Sequence, residues 1–206
     1  MIRLIQENKN TPDHFNENFA ERFKHAPDSQ DMRRWKRLLK YYKGQSLLDM
    51  GTLDSQLPIM AKKKYSGADI WGLDYSTEAV NQMQKAHPEI NYVQGDVYKT
   101  AFSAEQFGYV VMGEILEHLD RPDKAIKEAY RLLKVGGILA VSVPLDEYKE
   151  PGAVDGHFHV YSFNKEDIEV LLSTYGELKK IQVLRSEYVP VYKYHWPTLL
   201  AFAVKK

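Results

Sequence analysis

At 206 residues the chain is long enough to bury one sizeable core, which suits a single domain spanning residues 1–206. Its 28 basic and 28 acidic side chains cancel, and a pI near 7.1 argues against a polyanion-binding surface over the whole chain. It has no cysteine, which excludes disulfides, thiolate nucleophiles and Cys-ligated zinc, and no run is apolar for long enough to span a bilayer, so the expected compartment is the cytosol.

Residues 1–10 read as loose or as a short arm. Thr11, Pro12 and Asp13 form a helix start: a capping hydroxyl, a proline in the first turn and an acid near the positive end. Phe15, Phe19 and Phe23 follow at four-residue spacing, giving one apolar stripe that Pro27 ends. Asp28 or Ser29 caps a second helix, with the stripe Met32, Trp35, Leu38, Leu39 and Tyr42, and Gly44 stops it. Residues 1–44 are thus expected to form an N-terminal helical cap that either packs on the core or lies over a ligand. The basic residues Arg33, Arg34, Lys36, Arg37 and Lys40, like the run Lys62–Lys64, read as solvated faces.

Leu47 and Leu48 form an apolar run too short for a helix, ending at Asp49 and Gly51, and so predict a buried strand. A helix over about 55–64 is followed by a second strand, Ile70 to Leu73, which ends at Asp74. Ser76 caps a helix reaching His87 before Pro88. A third strand runs from Ile90 to Val93, with Gln94, Gly95 and Asp96 after it. Phe107 to Met112 is the fourth strand, followed by Gly113 and Glu114. Pro122 opens a helix with Ala125, Ile126, Ala129, Leu132 and Leu133 on one face, which Gly136 and Gly137 are expected to end. Ile138 to Val143 reads as an apolar run, broken only by Ser142, as for a parallel strand covered on both faces. A long loop carries Pro151, Gly152 and Gly156, more than a connection needs. Asn164 caps a helix with Ile168, Leu171 and Leu172 that stops at Gly176. Leu178 to Leu184 and Thr198 to Val204 close the chain as strands, joined by a loop rich in aromatics: Tyr188, Tyr192, Tyr194 and Trp196.

Alternating strands and helices imply an α/β fold, doubly wound, with a mostly parallel sheet and helices on both faces. In such sheets ligands lie outside the carboxyl ends of the strands. Four consecutive strands end in an acid with glycine close by: Asp49 with Gly51, Asp74, Asp96 with Gly95, and Glu114 with Gly113. One such acid is usually a helix cap. Four on one rim point to a ligand, and a glycine after strand one with an acid after strand two outlines a βαβ nucleotide site.

Together, Asp49-Met-Gly51, Asp74-Tyr-Ser, Gly95-Asp96-Val, Glu114-Ile-Leu-Glu117-His118-Leu and Leu132-Leu-Lys-Val-Gly-Gly137 resemble the class I S-adenosylmethionine-dependent methyltransferases, over roughly residues 35–206 and closest to the small-molecule, ubiquinone-type O-methyltransferase branch. The resemblance implies a Rossmann-like sheet of seven strands whose last strand is inserted antiparallel. It also implies a site in which the backbone near Asp49 and Gly51 holds the methionine portion, Asp74 the ribose and Tyr75 the adenine flank. Asp96 and Val97 would take the adenine edge, with Gly113 and Glu114 beside the methionine amine and the acceptor entrance. One departure stands out: Leu53 and Ser55 occupy positions where the family commonly carries glycine. That counts against a dinucleotide, whose pyrophosphate needs free amides on a Gly-rich turn, but S-adenosylmethionine has no phosphate.

Methyl transfer needs a base only if the nucleophile carries a proton. The candidates are His118, His157 and His159, with Glu114 beside them. His118 reads equally well as a partner for Glu114 or Glu117. His157 and His159 alternate along one extended segment and so share a face. Such a pair can ligate metal, but spacing supplies no third ligand, and no metal site is assigned. The expected acceptor is the O or N of a small molecule. A protein acceptor, or a non-catalytic binding protein with a decayed loop, remains the alternative. Nucleic acid is disfavoured by the neutral charge and by Gly-Glu-Ile-Leu after the fourth strand, and no membrane association is expected. The chain is expected as a monomer or homodimer.

Overall fold

The computed structural model describes residues 1–4, 7, 8, 10, 11, 13, 16, 29–145, 159–185 and 197–206. Seven strands form the central sheet: β2 (Leu47–Met50), β3 (Ile70–Asp74), β4 (Asn91–Gln94), β5 (Phe107–Gly113), β6 (Leu133–Pro144), β8 (Gly176–Leu184) and β9 (Thr198–Lys205). Their order is β4-β3-β2-β5-β6-β9-β8, and β9 alone runs against the other six. The doubly wound sheet with an antiparallel insertion is therefore as expected. Two further short strands, β1 (Ile2–Arg3) and β7 (Tyr161–Ser162), pair with each other as a separate two-stranded sheet. Of the two readings of the first residues, the short arm is the one that these strands match.

The five described helices are α1 (Ser29–Leu38), α2 (Leu57–Lys64), α3 (Thr77–Ala86), α4 (Pro122–Leu132) and α5 (Lys165–Ser173). One face of the sheet is covered by α1, α2 and α3, which bury Trp35, Leu38, Leu57, Ile59, Val80 and Met83 against Leu47, Tyr109 and Phe202. The other is covered by α4 and α5, which bury Ala125, Ile126, Ala129, Ile168 and Leu172 against Leu48, Val110 and Val141. β5 and β6 lie at the centre, which is why Phe107–Met112 and Leu139–Val143 are buried throughout, Ser142 included. Caps behave as the residues dictate. The Ser76 hydroxyl accepts from Ala79 N–H at 3.1 Å, and Asn164 and Asp167 form a reciprocal capping box on α5.

The elements differ from expectation in two places. α4 ends at Leu132 and β6 begins at once, so Gly136 and Gly137 lie inside an extended segment rather than stopping the helix. Gly136 has φ +77, and the β5–β6 register shifts between Phe107 and Tyr109, so the pair marks a bulge. α1 is also not a wholly solvated basic face. Arg34 turns inward, its side chain 14% exposed, while Lys36 and Arg37 face solvent. Phe15, Phe19 and Phe23, the aromatic loop of Tyr188, Tyr192, Tyr194 and Trp196, and Gly152 and Gly156 lie outside the described residues. No helix among the described residues is long and apolar enough to cross a membrane.

Candidate active site

β2, β3 and β4 step outward to one edge, and the chain then returns to place β5 on the other side of β2. The connections leaving β2 and β5 therefore diverge to opposite faces and leave a crevice at their carboxyl ends. A cleft of about 220 Å³ lies there. Its walls are the four strand ends: Gly51 and Leu53 after β2, Asp74 and Tyr75 at β3, Asp96, Val97 and Tyr98 after β4, and Glu114, Ile115 and His118 after β5.

The β2 turn is shaped for close approach. Gly51 sits at φ +77, and a Cβ there would run into the Ile115 side chain, so only glycine fits. Leu53 holds φ +37, a left-handed conformation that costs a non-glycine residue about 1–2 kcal/mol. The turn thus keeps the glycine-type backbone at a position that carries leucine. Asp74 secures it: one carboxylate oxygen accepts from Leu53 N–H at 2.9 Å, the other from Ser76 N–H at 2.9 Å. Asp74 is only 6% exposed. Burial pushes its carboxyl above the usual range, against the opposing pull of the Ser76, Leu53 and Tyr75 amides.

Asp49 does not line the cleft. It is 3% exposed, lies beneath the turn, and accepts from the Thr52 hydroxyl at 3.2 Å. Burial raises its pKa to about 7, partly offset by hydrogen bonds from Ser55 and Thr52, with the nearby Asp74 charge adding to the rise. Its side chain braces the turn from below rather than facing a ligand. Gly113 likewise closes β5 beneath the cleft, where a Cβ would stand 3.2 Å from Leu38 Cδ1. Asp96 is exposed in the cleft and accepts from Tyr98 N–H at 2.8 Å, while Val97 is 8% exposed and forms part of the wall.

Glu114 sits at φ +53 and donates its amide to Ser142 O at 3.0 Å. Its Oε2 lies 3.9 Å from the Arg34 guanidinium, while Oε1 is buried with no hydrogen-bond partner among the described residues. Burial would lower the Arg34 pKa, but the charges of Glu114, Asp31 and Glu117 outweigh it and hold Arg34 above its ordinary value. A residue read as surface charge is thus a buried counter-ion to the site's acids. No lysine or arginine is among the described residues that line the cleft, whereas Asp74, Asp96, Glu114 and Asp120 all do.

His118 lines the cleft, and His159 meets it edge-on with ring centroids 4.7 Å apart. His157 lies outside the described residues. The N-terminal arm forms an unexpected wall. Asn8 and Asn10 line the cleft, their amides reaching His118 O at 3.1 and 3.2 Å, and Tyr75 donates its hydroxyl to Asn10 O. Sequence offered no signal for these asparagines, because their partners across the cleft lie 65 to 112 residues away. Glu117 was visible as the acid next to His118, but not its burial at 1% exposure.

A family model described as a methyltransferase domain matches residues 48–141, the segment from β2 into β6 that supplies most of the cleft. The chain is similar to a demethylmenaquinone methyltransferase of Renibacterium salmoninarum, 31% identical over 53% of this chain and 47% of that protein. It is also similar to a probable S-adenosylmethionine-dependent methyltransferase of Mycolicibacterium smegmatis, 27% identical over 51% of this chain and 42% of that one. These matches support a class I S-adenosylmethionine-dependent methyltransferase. The matches span less than half the length of these two curated relatives. The fold extends further: the N-methyltransferase NodS of Bradyrhizobium japonicum, solved with S-adenosyl-L-homocysteine, superposes with a TM-score of 0.74 at 16% identity, over 96% of this chain and 99% of that one. The methyltransferase cofactor fits the residues present, since an acid-lined cleft with a buried carboxylate at the end of β3 suits a cationic, phosphate-free nucleoside.

Proposed function

We propose that this methyltransferase binds S-adenosylmethionine in the cleft and moves its methyl group to the O or N of a small molecule entering beside His118 and His159. The observation that carries this reading is the charge of the cleft: four carboxylates and no lining lysine or arginine among the described residues. A sulfonium and an ammonium group are attracted there, and a pyrophosphate is repelled. Asp74 accepts from the ribose hydroxyls with its remaining lone pairs, Tyr75 flanks the adenine, and Asp96 with Val97 takes the adenine edge. The amides around Gly51 and the carboxylate of Glu114 hold the amino-acid portion. The enzyme's work is to align the acceptor with the methyl–sulfur bond and exclude water, and the Asn8–Asn10 arm contributes to that enclosure. Quinone precursors, named for the Renibacterium relative, and amines, as for NodS, are the first acceptors to screen.

Calorimetry should show saturable binding of S-adenosylhomocysteine and much weaker binding of NAD. Tighter binding of NAD would overturn the cofactor assignment. The candidates to take the acceptor's proton are His118, His159 and Glu114, with His157, outside the described residues, retained from the sequence. His118→Ala or His159→Ala should lower turnover about 100-fold on a responsive phenol, quinol or amine while S-adenosylhomocysteine still binds normally. Full turnover in both would move the proton acceptor to Glu114 or His157. The reading of a decayed loop is tested at Leu53. Leu53→Gly relieves about 1 kcal/mol of backbone strain and should hold or tighten cofactor affinity. An affinity loss beyond about tenfold would make the leucine side chain itself a cofactor contact.

A further inference from the structure

We infer that Glu117, His118 and His159 form a divalent-cation site at the acceptor side of the cleft, and that the ion holds the acceptor's hydroxyl; this rests on the cleft being the methyl-transfer site. One ligand atom from each of the three residues lies within 4.8 Å of the others. About 3.0–3.5 Å separates neighbouring donors around an ion bound at ~2.1 Å, so modest side-chain rotation closes the set. Two imidazoles and a carboxylate suit zinc and the first-row divalent ions, and three protein ligands leave positions open for an oxygen ligand.

The main chain brings these ligands together from segments distant in sequence. Glu117 and His118 lie on a 3-10 turn, Leu116–His118, directly after β5. Val160, next to His159, donates its amide to Glu117 O at 2.6 Å, and Leu4 N–H in turn bonds Val160 O at 2.7 Å. The His118 carbonyl is held by Asn8 and Asn10. The backbone on both sides of the cluster is therefore fixed without any ion, which is the preorganisation a ligand set needs. Glu117 is 1% exposed and shares the field of the Arg34 guanidinium with Glu114 and Asp31. His118 is shared between this cluster and the cleft wall, so an ion here faces the space where the acceptor enters.

Coordination lowers the pKa of a bound hydroxyl, so its proton departs to solvent or to Glu114 near neutral pH. The oxyanion then attacks the methyl carbon. The O–C bond forms as the C–S bond breaks, its electron pair stays on sulfur, and the sulfonium and oxyanion charges cancel to give a neutral ether and a thioether. In this arrangement the imidazoles ligate rather than accept protons, and the acceptor is a hydroxyl compound in preference to an amine.

The test uses the full chain freed of metal, titrated calorimetrically with Zn²⁺ and separately with Mn²⁺, and with S-adenosylhomocysteine in parallel. Binding of at least one ion at about one per chain is expected. Glu117→Gln and His159→Ala should each weaken it at least about 100-fold while S-adenosylhomocysteine affinity stays within about twofold, which also reports that the variants are folded. If Glu117→Gln fails to fold, His159→Ala, changed at a less buried position, decides alone. Normal S-adenosylhomocysteine binding with neither ion bound overturns the cation site and leaves the cleft reading standing. A folded His159→Ala that binds the ion as wild type does also overturns it. An ion bound without any S-adenosylhomocysteine binding overturns the cleft reading, and with it the ion's role in methyl transfer.

Discussion

Replacing Asp74 with alanine is expected to weaken S-adenosylhomocysteine binding by about 30- to 1,000-fold, the equivalent of roughly 2–4 kcal/mol for two charge-assisted hydrogen bonds to ribose. The structure adds a second effect. Both carboxylate oxygens already hold backbone amides, of Leu53 and of Ser76, so alanine also strands two donors at the turn. Each lost partner costs roughly 1–3 kcal/mol if water does not replace it. Thermal unfolding should therefore shift downward together with the affinity. Asp74→Asn separates the two contributions: its one carbonyl oxygen can hold one amide but cannot serve the turn and the ribose alike. Unchanged affinity in folded Asp74→Ala would reduce the residue to a brace for the Leu53 turn.

Asp49→Asn should change how stability depends on pH. The carboxyl is almost wholly buried and its pKa is raised to about 7, from an ordinary value of 3.8. Between these two values the unfolded chain has lost the proton and the folded one keeps it. The unfolded state therefore binds fewer protons, and stability falls as pH rises. The contribution is fully present below pH 3.8 and gone above about 7. A shift of that size corresponds to about 4 kcal/mol across the window. Asparagine can still accept from the Thr52 hydroxyl but does not ionise. The variant's stability relative to wild type should then climb between pH 4 and pH 8, read from urea unfolding at a series of pH values. Parallel profiles would show that Asp49 titrates as an ordinary acid.

The sheet was legible because its central strands are buried on both faces, so they appear as largely apolar runs, with β2, β3 and β5 ending at or just before an acid or glycine. The same rule put the acids on one rim, and Gly51, Asp74, Tyr75, Asp96, Val97, Glu114 and His118 do line the cleft. Sequence could not show which acids turn inward. Asp49 and Asp74 stand at equivalent strand ends, yet one supports the turn from below and the other faces the cleft while holding the turn's amides. Arg34 was misread because a helix pattern assigns a face, whereas its burial depends on Glu114, which arrives from a distant strand. The end of α4 was misplaced because Leu133 serves equally well as the last turn of a helix or the start of a strand, and pairing of Phe107 with Leu133 decides it. Asn8 and Asn10 were invisible for the same reason: their meaning lies wholly in contacts remote along the chain.

The two-residue pairing of Ile2–Arg3 with Tyr161–Ser162 has a consequence for exchange of bound molecules. Its strand Ile2–Arg3 is exposed, and it is joined to the body through Asn8, Asn10, the exposed ion pairs of Met1 with Asp167 and Arg3 with Asp120, and a few main-chain bonds, whereas the central sheet is sealed on both faces. Opening this clasp exposes little apolar surface and so costs far less than global unfolding. Amide protons at Ile2, Arg3 and Leu4 should thus trade with deuterium long before those of β5 and β6. A cofactor or product that must pass the Asn8–Asn10 wall can leave through this sub-global opening while the sheet stays intact, and its residence time would follow the lifetime of the clasp.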